Sequence, residues 1–88
     1  MPDVIVYGTA ICPYCVRARS MLDKKGVNYE DVRLDQHPER RQEMEARANG
    51  RTSVPQIFID DRHIGGFDDM AELDIDDELN PLLGLSND

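Results

Sequence analysis

The chain has 88 residues and a formal net charge of −8 at pH 7. This length limits the chain to one domain with a small core, so we expect residues 1–88 to fold as a single unit. The negative charge argues against nucleic acid as a partner, because such binding depends on cations that neutralise phosphates. Apolar runs are far shorter than the ~20 residues that span a membrane, and no secretory leader is visible. We therefore expect a cytoplasmic protein without membrane contact.

The charge is distributed unevenly along the chain. Residues 1–59 carry nine Lys and Arg against eight Asp and Glu, whereas residues 60–88 carry one Arg against ten acidic residues. The simplest interpretation of this acidic C-terminal third is a solvated surface that favours solubility. A docking surface for a basic partner protein is the alternative.

The first half of the chain predicts two strand–helix units. Residues 4–7 are a short β-branched run, typical of a buried strand. Pro13 suits the first position of a helix, which Gly26 ends. One apolar stripe along that helix contains Cys15, Ala18 and Leu22. Residues 27–34 predict a second strand, and a second helix runs from Pro38 to Asn49-Gly50.

The second half predicts a hairpin and a helix. Residues 56–59 and 62–64 are strands joined by a two-residue Asp60-Asp61 turn. Asp68 or Asp69 caps the following helix. Asn80-Pro81 then interrupts the helical structure before a final short turn of leucines. Residues 86–88 should fray.

This order of elements, β-α-β-α-β-β-α, together with a Cys-x-x-Cys pair at the first strand-to-helix junction, predicts an α/β fold of the thioredoxin type. The first strand–helix–strand unit implies parallel pairing with a right-handed crossover. The last two strands form an antiparallel hairpin, which gives a four-stranded mixed sheet flanked by helices. A Cys-x-x-Cys pair at the first strand-to-helix junction of such a fold indicates redox chemistry.

The two cysteines, Cys12 and Cys15, are better suited to chemistry than to structure. A disulfide between them would close a very small loop and would add little stability. A zinc site would need four ligands, and neither His37 nor His63 has a ligand-type spacing to the cysteines. We therefore expect no metal.

A thiolate, not a thiol, attacks disulfides, so the pKa of one cysteine must be lowered. Cys12 precedes the first helix, where free backbone N–H groups and the helix dipole stabilise a negative sulfur. Cys15 lies one turn inside, on the apolar stripe, and should be more buried and less ionised. The pattern predicts that Cys12 attacks and Cys15 resolves.

Three segments together resemble the glutaredoxin family, most closely its small bacterial dithiol members. Cys12-Pro13-Tyr14-Cys15 resembles the dithiol active site, and Thr52-Ser53-Val54-Pro55 resembles the family's Thr-Val-Pro segment, with Ser53 where threonine is usual. Gly65-Gly66-Phe67-Asp68-Asp69 resembles its Gly-Gly-x-Asp-Asp segment. The resemblance runs from about Val4 to Leu83, in the family's order and spacing.

The resemblance implies a glutathione groove beside Cys12. The Val54-Pro55 peptide is expected to be cis, and Val54 would pair its backbone with glutathione as an added strand does, next to Ser53. Gly66 allows close approach of a ligand to the backbone. An ordinary trans turn is the alternative reading of the Val54-Pro55 step.

The same resemblance assigns three more regions to the groove. The helix N-terminus at Phe67, Asp68 and Asp69 would offer N–H groups to the γ-glutamyl carboxylate, and an Asp would meet its ammonium. Simple helix capping by these aspartates is the alternative, and capping and binding can coexist. Tyr14 would pack against the ligand. Arg41, or Arg40 as its alternative, would meet the glycyl carboxylate.

One departure from the family pattern concerns residue 9, where relatives usually carry a lysine and this chain has Thr9. A nearby cation lowers the pKa of a thiol and attracts glutathione. We therefore predict a Cys12 pKa above that of lysine-bearing relatives.

The implied function is glutathione-dependent reduction of glutathione mixed disulfides and protein disulfides. Glutathione is the expected co-substrate, and glutathionylated or disulfide-bonded proteins, ribonucleotide reductase and other reductases among them, are the expected partners of a monomer. Three alternatives remain: a redoxin reduced by thioredoxin reductase, a dimer that holds an iron–sulfur cluster through Cys12 and glutathione, and a docking role for the acidic C-terminal third.

Overall fold

A computed structural model describes residues 2–86 of the chain. Within this range, four strands and four helices follow one another along the chain. They are β1 (Val4–Gly8), α1 (Pro13–Lys24), β2 (Glu30–Arg33), α2 (Arg41–Arg47), β3 (Gln56–Ile59), β4 (Arg62–Gly65), α3 (Phe67–Ile75) and α4 (Leu79–Leu82). Residues 87 and 88, for which we expect fraying, lie outside the described residues.

The strands form one mixed sheet in the order β2-β1-β3-β4. β1 pairs in parallel with β2 and antiparallel with β3, and β3 pairs antiparallel with β4. The predicted mixed sheet and the thioredoxin fold are confirmed. The connection from β1 to β2 passes through α1, so the start of α1 lies just beyond the end of the central strand β1.

Alternating side chains of the central strands build two cores, one on each face of the sheet. From β1, Val4 and Val6 point to the face covered by α1, α3 and α4, where Leu22, Met70 and Leu79 are among the buried residues. The opposite face, covered by α2, buries six residues: Tyr7, Val32, Leu34, Met44, Ala48 and Phe58. The period of two in β1 therefore produces a layer of helices on each side of the sheet.

The Asp60-Asp61 hairpin turn between β3 and β4 is as predicted. Asp60 and Asp61 both have positive φ, 50° and 67°, which is the geometry of a two-residue hairpin turn that follows the sheet twist.

The strand β2 is shorter than predicted. It begins at Glu30 rather than Val27, because the Val27 N–H donates to Leu22 O at 3.1 Å and still belongs to the end of α1.

The second helix begins as a 3-10 turn, Pro38–Arg40, before α2 proper. The N–H groups of Arg40 and Arg41 bond to carbonyls three residues back, at His37 and Pro38. The helix therefore starts at the predicted proline with a tighter turn than expected.

Two predictions about the C-terminal helices are wrong in detail. The N-cap of α3 is Gly66, not Asp68 or Asp69, and the Asp69 carboxylate instead accepts a hydrogen bond from the Gly66 N–H at 2.8 Å. Asn80-Pro81 does not interrupt helical structure but lies inside the helix α4. Pro81 is tolerated there because it stands in the first turn, where its N–H would have no helical partner. Within residues 2–86, no helix is both long enough and apolar enough to cross a membrane.

Candidate active site

Cys12 is the N-cap residue of α1, at the end of the loop that leaves β1. Its backbone is extended, with φ −78° and ψ 121°, and its carbonyl accepts the first helical hydrogen bond, from the Val16 N–H at 3.0 Å. Pro13 at the first helical position starts the helix without loss of a hydrogen bond. The Cys12 side chain is partly exposed, so a substrate sulfur can reach it.

The surroundings of Cys12 lower the pKa of its thiol below the ordinary value. Partial burial acts in the opposite direction and is the largest single influence. It is outweighed by hydrogen bonds from the Cys15 backbone N–H, the Cys15 thiol and the Tyr14 backbone N–H, and by the positive charge of Arg19. The two backbone N–H groups belong to the first turn of α1, where N–H groups have no helical partner, as the sequence predicts.

Cys15 lies one turn into α1 and is completely buried, with an exposed fraction of 0%. This burial raises the pKa of its thiol to about 11. A hydrogen bond from the Thr9 backbone and the charge of Arg19 act in the other direction, and the neighbouring Cys12 adds to the rise. The two thiols of one motif therefore differ as the apolar stripe predicts. Cys12 is accessible and its pKa is lowered, whereas Cys15 is buried and its pKa is raised.

Two residues that border Cys15 were not identified from the sequence. A Cβ atom at Gly8 would lie 2.8 Å from Cys15 Sγ, so residue 8 is a glycine because the sulfur fills the space. Arg19 is buried, at 8% exposure, and lies on the same face of α1 as Cys15. The i, i+4 spacing places Arg19 one turn after Cys15, but no signal within α1 shows that its side chain is buried.

The segment that resembles the family's Thr-Val-Pro lies against the nucleophile. The Val54-Pro55 peptide is cis, as expected. Cys12 Sγ lies 4.0 Å from the Val54 carbonyl oxygen. Gln56, fully buried at the start of β3, donates through Nε2 to the carbonyl of Ser53 at 3.0 Å and to its hydroxyl at 3.2 Å. A buried polar side chain therefore holds this loop in place.

His63 completes that support from β4. Its Nε2 lies 2.6 Å from Gln56 Oε1, and its ring stacks on Phe58 with centroids 5.0 Å apart. Because Gln56 uses its NH₂ group on Ser53, its oxygen accepts and His63 Nε2 donates. Burial first, and then the charge of Arg51, lower the pKa of His63. His63 therefore supports the loop through Gln56. Among residues 2–86, no group of three or more His, Cys, Asp or Glu side chains could hold a metal ion.

The N-terminus of α3 approaches the same loop. A Cβ atom at Gly66 would lie 3.6 Å from the Pro55 carbonyl oxygen. Asp69 is used locally: it accepts from the Gly66 N–H and lies 3.7 Å from Arg51. Asp68 is exposed, and within residues 2–86 its carboxylate has no hydrogen-bond or ion-pair partner. Of the two aspartates, Asp68 is the one whose charge is free for a ligand.

Two aromatic rings stand beside the helix ends. The rings of Tyr14 and Phe67 have centroids 6.5 Å apart with a 36° angle between their planes. Tyr14 is 50% exposed, and the guanidinium of Arg17 lies 5.4 Å from its ring centroid. Phe67 is partly buried and packs against the core on the α1 and α3 side. The pair connects the first turns of α1 and α3.

The two candidate arginines of the second helix are used differently. Arg41 Nη1 donates to the Thr52 carbonyl at 3.0 Å, so its guanidinium lies beside the loop that precedes Val54. Arg40 forms ion pairs with Glu30 at 2.9 Å and with Glu43 at 2.8 Å. Arg40 is therefore already paired with two carboxylates, whereas Arg41 lies beside the loop that contains Val54.

Comparison with known proteins agrees with this geometry. The glutaredoxin family model matches residues 4–64. Glutaredoxin of Pseudomonas aeruginosa is 47% identical over 83 residues, which cover 94% of this chain and 98% of the relative. Glutaredoxin 3 of Escherichia coli K12 is 48% identical over 83 residues, with 94% and 99% coverage.

Solved structures are similar over nearly the same range. The crystal structure of a buckwheat glutaredoxin–glutathione complex superposes with a TM-score of 0.84 at 32% identity, covering 94% of this chain and 77% of that one. The solution structure of glutaredoxin from Brucella melitensis gives a TM-score of 0.77 at 43% identity, with 92% and 87% coverage. Motif, fold and relatives agree, and the chain belongs to the glutaredoxin family of thiol–disulfide oxidoreductases.

Proposed function

We propose that this protein uses glutathione to reduce glutathione mixed disulfides and protein disulfides, with Cys12 as nucleophile and Cys15 as resolving thiol. The observation that carries the proposal is the contrast within one helical turn. Cys12 is accessible and its pKa is lowered, whereas Cys15 is buried directly behind it with a pKa of about 11.

Reduction of a glutathione mixed disulfide needs Cys12 alone. The Cys12 thiolate attacks the glutathionyl sulfur, a Cys12–glutathione disulfide forms, and the substrate sulfur leaves as a thiolate that takes up a proton. A second glutathione thiolate then attacks the glutathione sulfur of this adduct. Cys12 is released as a thiolate and oxidised glutathione departs, with one half from the mixed disulfide and the other from the one free glutathione thiol that the reaction consumes.

Reduction of a protein disulfide uses both cysteines. Attack by Cys12 gives a mixed disulfide between Cys12 and the substrate protein. Cys15 then loses its proton and attacks Cys12 Sγ, which forms the Cys12–Cys15 disulfide and releases the second substrate thiolate. Two molecules of glutathione later reduce that disulfide, so glutathione is the electron donor in both reactions.

The groove that we propose for glutathione follows the elements around Cys12. The Val54 backbone would pair with the cysteinyl unit, since its carbonyl lies 4.0 Å from Cys12 Sγ. Ser53 and Pro55 flank Val54 in the same loop. Arg41 would bind the glycyl carboxylate, because it reaches the neighbouring Thr52 carbonyl.

The γ-glutamyl end of the ligand would lie at the N-terminus of α3. The backbone N–H groups of Phe67 and Asp68 point out of the first turn and can bind a carboxylate. The unpaired carboxylate of Asp68 suits the γ-glutamyl ammonium, whereas Asp69 acts through the Gly66 N–H and fixes the helix start. Tyr14 and Phe67 would form an aromatic wall of the groove.

The wider role that we propose rests on the family. Glutaredoxins use glutathione, and glutathionylated proteins are their substrates. We propose that disulfide-bonded enzymes such as ribonucleotide reductase are partners, that the protein acts in the cytoplasm, and that one copy of the chain, folded as a single domain, is sufficient for activity.

The test is a coupled assay in which glutathione, glutathione reductase and NADPH drive reduction of a small glutathione mixed disulfide. We expect activity in the wild type and none in Cys12→Ser. Activity that required thioredoxin reductase in place of glutathione would contradict the proposal. A visible absorption spectrum of the protein as purified is a second check, because a brown protein would favour the iron–sulfur alternative.

A further inference from the structure

The protein-disulfide reaction proposed above requires Cys15 to become a thiolate at a position that water does not reach. The Cys15 side chain has an exposed fraction of 0%. A negative sulfur at such a site needs a positive charge or hydrogen-bond donors from the protein itself. The positive charge comes from Arg19, one helical turn after Cys15, and the hydrogen bond comes from the Thr9 backbone N–H.

Arg19 is held rigidly next to Cys15. Its Nη2 donates to the Thr9 carbonyl at 2.6 Å and its Nε donates to Asp31 Oδ1 at 3.1 Å. A Cβ atom at Gly8 would lie 2.8 Å from Cys15 Sγ and 3.4 Å from Arg19 Nη2. The sulfur and the guanidinium therefore border the same small space, which Gly8 leaves open.

The charge of Arg19 is not cancelled by its partner. Asp31 is shared, because its second oxygen accepts from Arg33 Nε at 2.7 Å. Two guanidinium groups thus face one carboxylate, and the cluster of Arg19, Asp31 and Arg33 carries a net positive charge. The Asp31 carboxylate orients the Arg19 guanidinium, and one net positive charge remains next to Cys15.

Arg19 also acts on Cys15 through the backbone. The Thr9 N–H donates to the Cys15 sulfur, and Arg19 binds the carbonyl of the same residue. The guanidinium therefore fixes the residue that supplies a hydrogen bond to the sulfur. Cys12 has further support for its thiolate, because backbone N–H groups at the start of α1 and the Cys15 thiol donate to it.

We propose that Arg19 is a positioning residue for the resolving step, stabilising the Cys15 thiolate as it forms and attacks the mixed disulfide. The inference rests on the proposed function. In this step the Cys15 proton passes to the departing substrate thiolate. One S–S bond, Cys12 to Cys15, forms as the bond from Cys12 to the substrate sulfur breaks, so no further reagent is required.

The test measures the lifetime of the mixed disulfide. Reduced protein is mixed with a disulfide-bonded substrate protein, quenched with acid at successive times, and analysed by intact-mass spectrometry. We expect the Cys12–substrate adduct to persist at least about tenfold longer in Arg19→Gln than in the wild type, as loss of a charge near a buried thiolate implies. Arg19→Lys, which keeps the charge, should recover part of the rate.

Two controls separate this role from a general loss of structure. Arg62→Gln removes the same charge from an exposed position at the start of β4, and its adduct lifetime should match the wild type. In a Cys15→Ser background, Arg19→Gln should slow glutathione mixed-disulfide reduction by much less than it prolongs the adduct, because Arg19 is one of several groups that stabilise the Cys12 thiolate. Thermal melting establishes that each variant is folded.

The outcomes distinguish this inference from the function on which it rests. A wild type without glutathione-driven activity would contradict the proposed function itself. An active wild type together with a folded Arg19→Gln variant of unchanged adduct lifetime would overturn the role of Arg19 alone. An equal loss of mixed-disulfide reduction in the Cys15→Ser background would also overturn it, since Arg19 would then act on Cys12 as strongly as on Cys15. If Arg19→Gln does not fold, Arg19→Lys takes its place, and an adduct lifetime equal to that of the wild type would overturn the role, because the guanidinium contacts with Thr9 and Asp31 would be gone without effect.

Discussion

The two sides of the Cys12-Pro13-Tyr14-Cys15 turn offer opposite environments to the same functional group. On the open side, Cys12 meets solvent, backbone N–H groups and the Val54 carbonyl. On the closed side, Cys15 packs against the position of Gly8 and lies near Arg19. One helical turn separates a thiol whose pKa is lowered from one whose pKa is raised to about 11.

The difference shows how a helix N-terminus sorts two identical side chains. The free N–H groups of the first turn stabilise a charge at the N-cap, and their influence falls within that turn. One turn later the residue faces the core, where desolvation dominates. The spacing of the motif therefore sets accessibility and acidity together, and each prediction below alters one side of this contrast.

Cys15→Ser removes the closed-side thiol and should give the largest change. We expect reduction of protein disulfides by glutathione to fall to near the background rate, because no Cys15 thiolate remains to attack the disulfide between Cys12 and the substrate protein. Reduction of small glutathione mixed disulfides should persist, since Cys12 suffices for it. Parallel assays with the two substrate classes measure the split. If both activities disappeared together, the role of Cys15 as resolving thiol would be wrong.

Gly8→Ala fills the space on the closed side and should destabilise the fold by about 1–3 kcal/mol, the usual cost of overpacking. Its Cβ would lie 2.8 Å from Cys15 Sγ and 3.2 Å from Cys15 Cβ. Urea unfolding measures the change. Gly66→Ala is the matched control for stability, because its Cβ would meet nothing nearer than 3.6 Å at an ordinary φ of −88°. Equal stability of the two variants would contradict the packing argument.

Arg41→Gln alters the open side by removing the cation beside the Thr52 carbonyl. We expect the KM for glutathione to rise about three- to tenfold, with a smaller change in kcat, because a charge-assisted contact to a carboxylate is lost. Arg40→Gln serves as the control, since its guanidinium is paired with Glu30 and Glu43. A larger rise in KM for Arg40→Gln than for Arg41→Gln would reverse our assignment.

Thr9→Lys adds a cation near the pair and should give the smallest effect. In a Cys15→Ser background, the rate of iodoacetamide alkylation against pH reports the pKa of Cys12, because the thiolate is the reactive form. A lowered pKa moves the midpoint to lower pH, so more thiolate is present at neutral pH. We expect Thr9→Lys to shift the midpoint downward by less than about one unit, since Arg19 already contributes positive charge there. An unchanged midpoint, as expected for a Thr9→Gln control, would contradict this prediction.

The sequence predicts the features that depend on local patterns. The strand at residues 4–7, Pro13 at the start of α1 and the Asp60-Asp61 turn follow from periodicity and turn chemistry, and the structure has all three. The order of elements was sufficient to predict the mixed sheet. The boundaries of β2 and α3 could not be predicted, because each depends on a single hydrogen bond, from Val27 to Leu22 and from Gly66 to Asp69.

The parts of the site that the sequence missed are those that depend on contacts between distant segments. Arg19 reads as one more basic residue of an exposed helix face until its contacts with Thr9 and Asp31 show that it is buried. Gln56 resembles an ordinary strand residue, yet it joins Ser53 to His63. Burial of a polar side chain is decided by which elements pack together, and a pattern within one element carries no record of it.

The measurement that tests the contrast between the two cysteines most directly is limited alkylation of the reduced wild type. The protein is treated at neutral pH with less than one equivalent of iodoacetamide, and tandem mass spectrometry locates the label. We predict that the label lies almost entirely on Cys12, because Cys12 is accessible with a lowered pKa and Cys15 is buried with a raised one. Label divided evenly between the two residues, or concentrated on Cys15, would contradict the account.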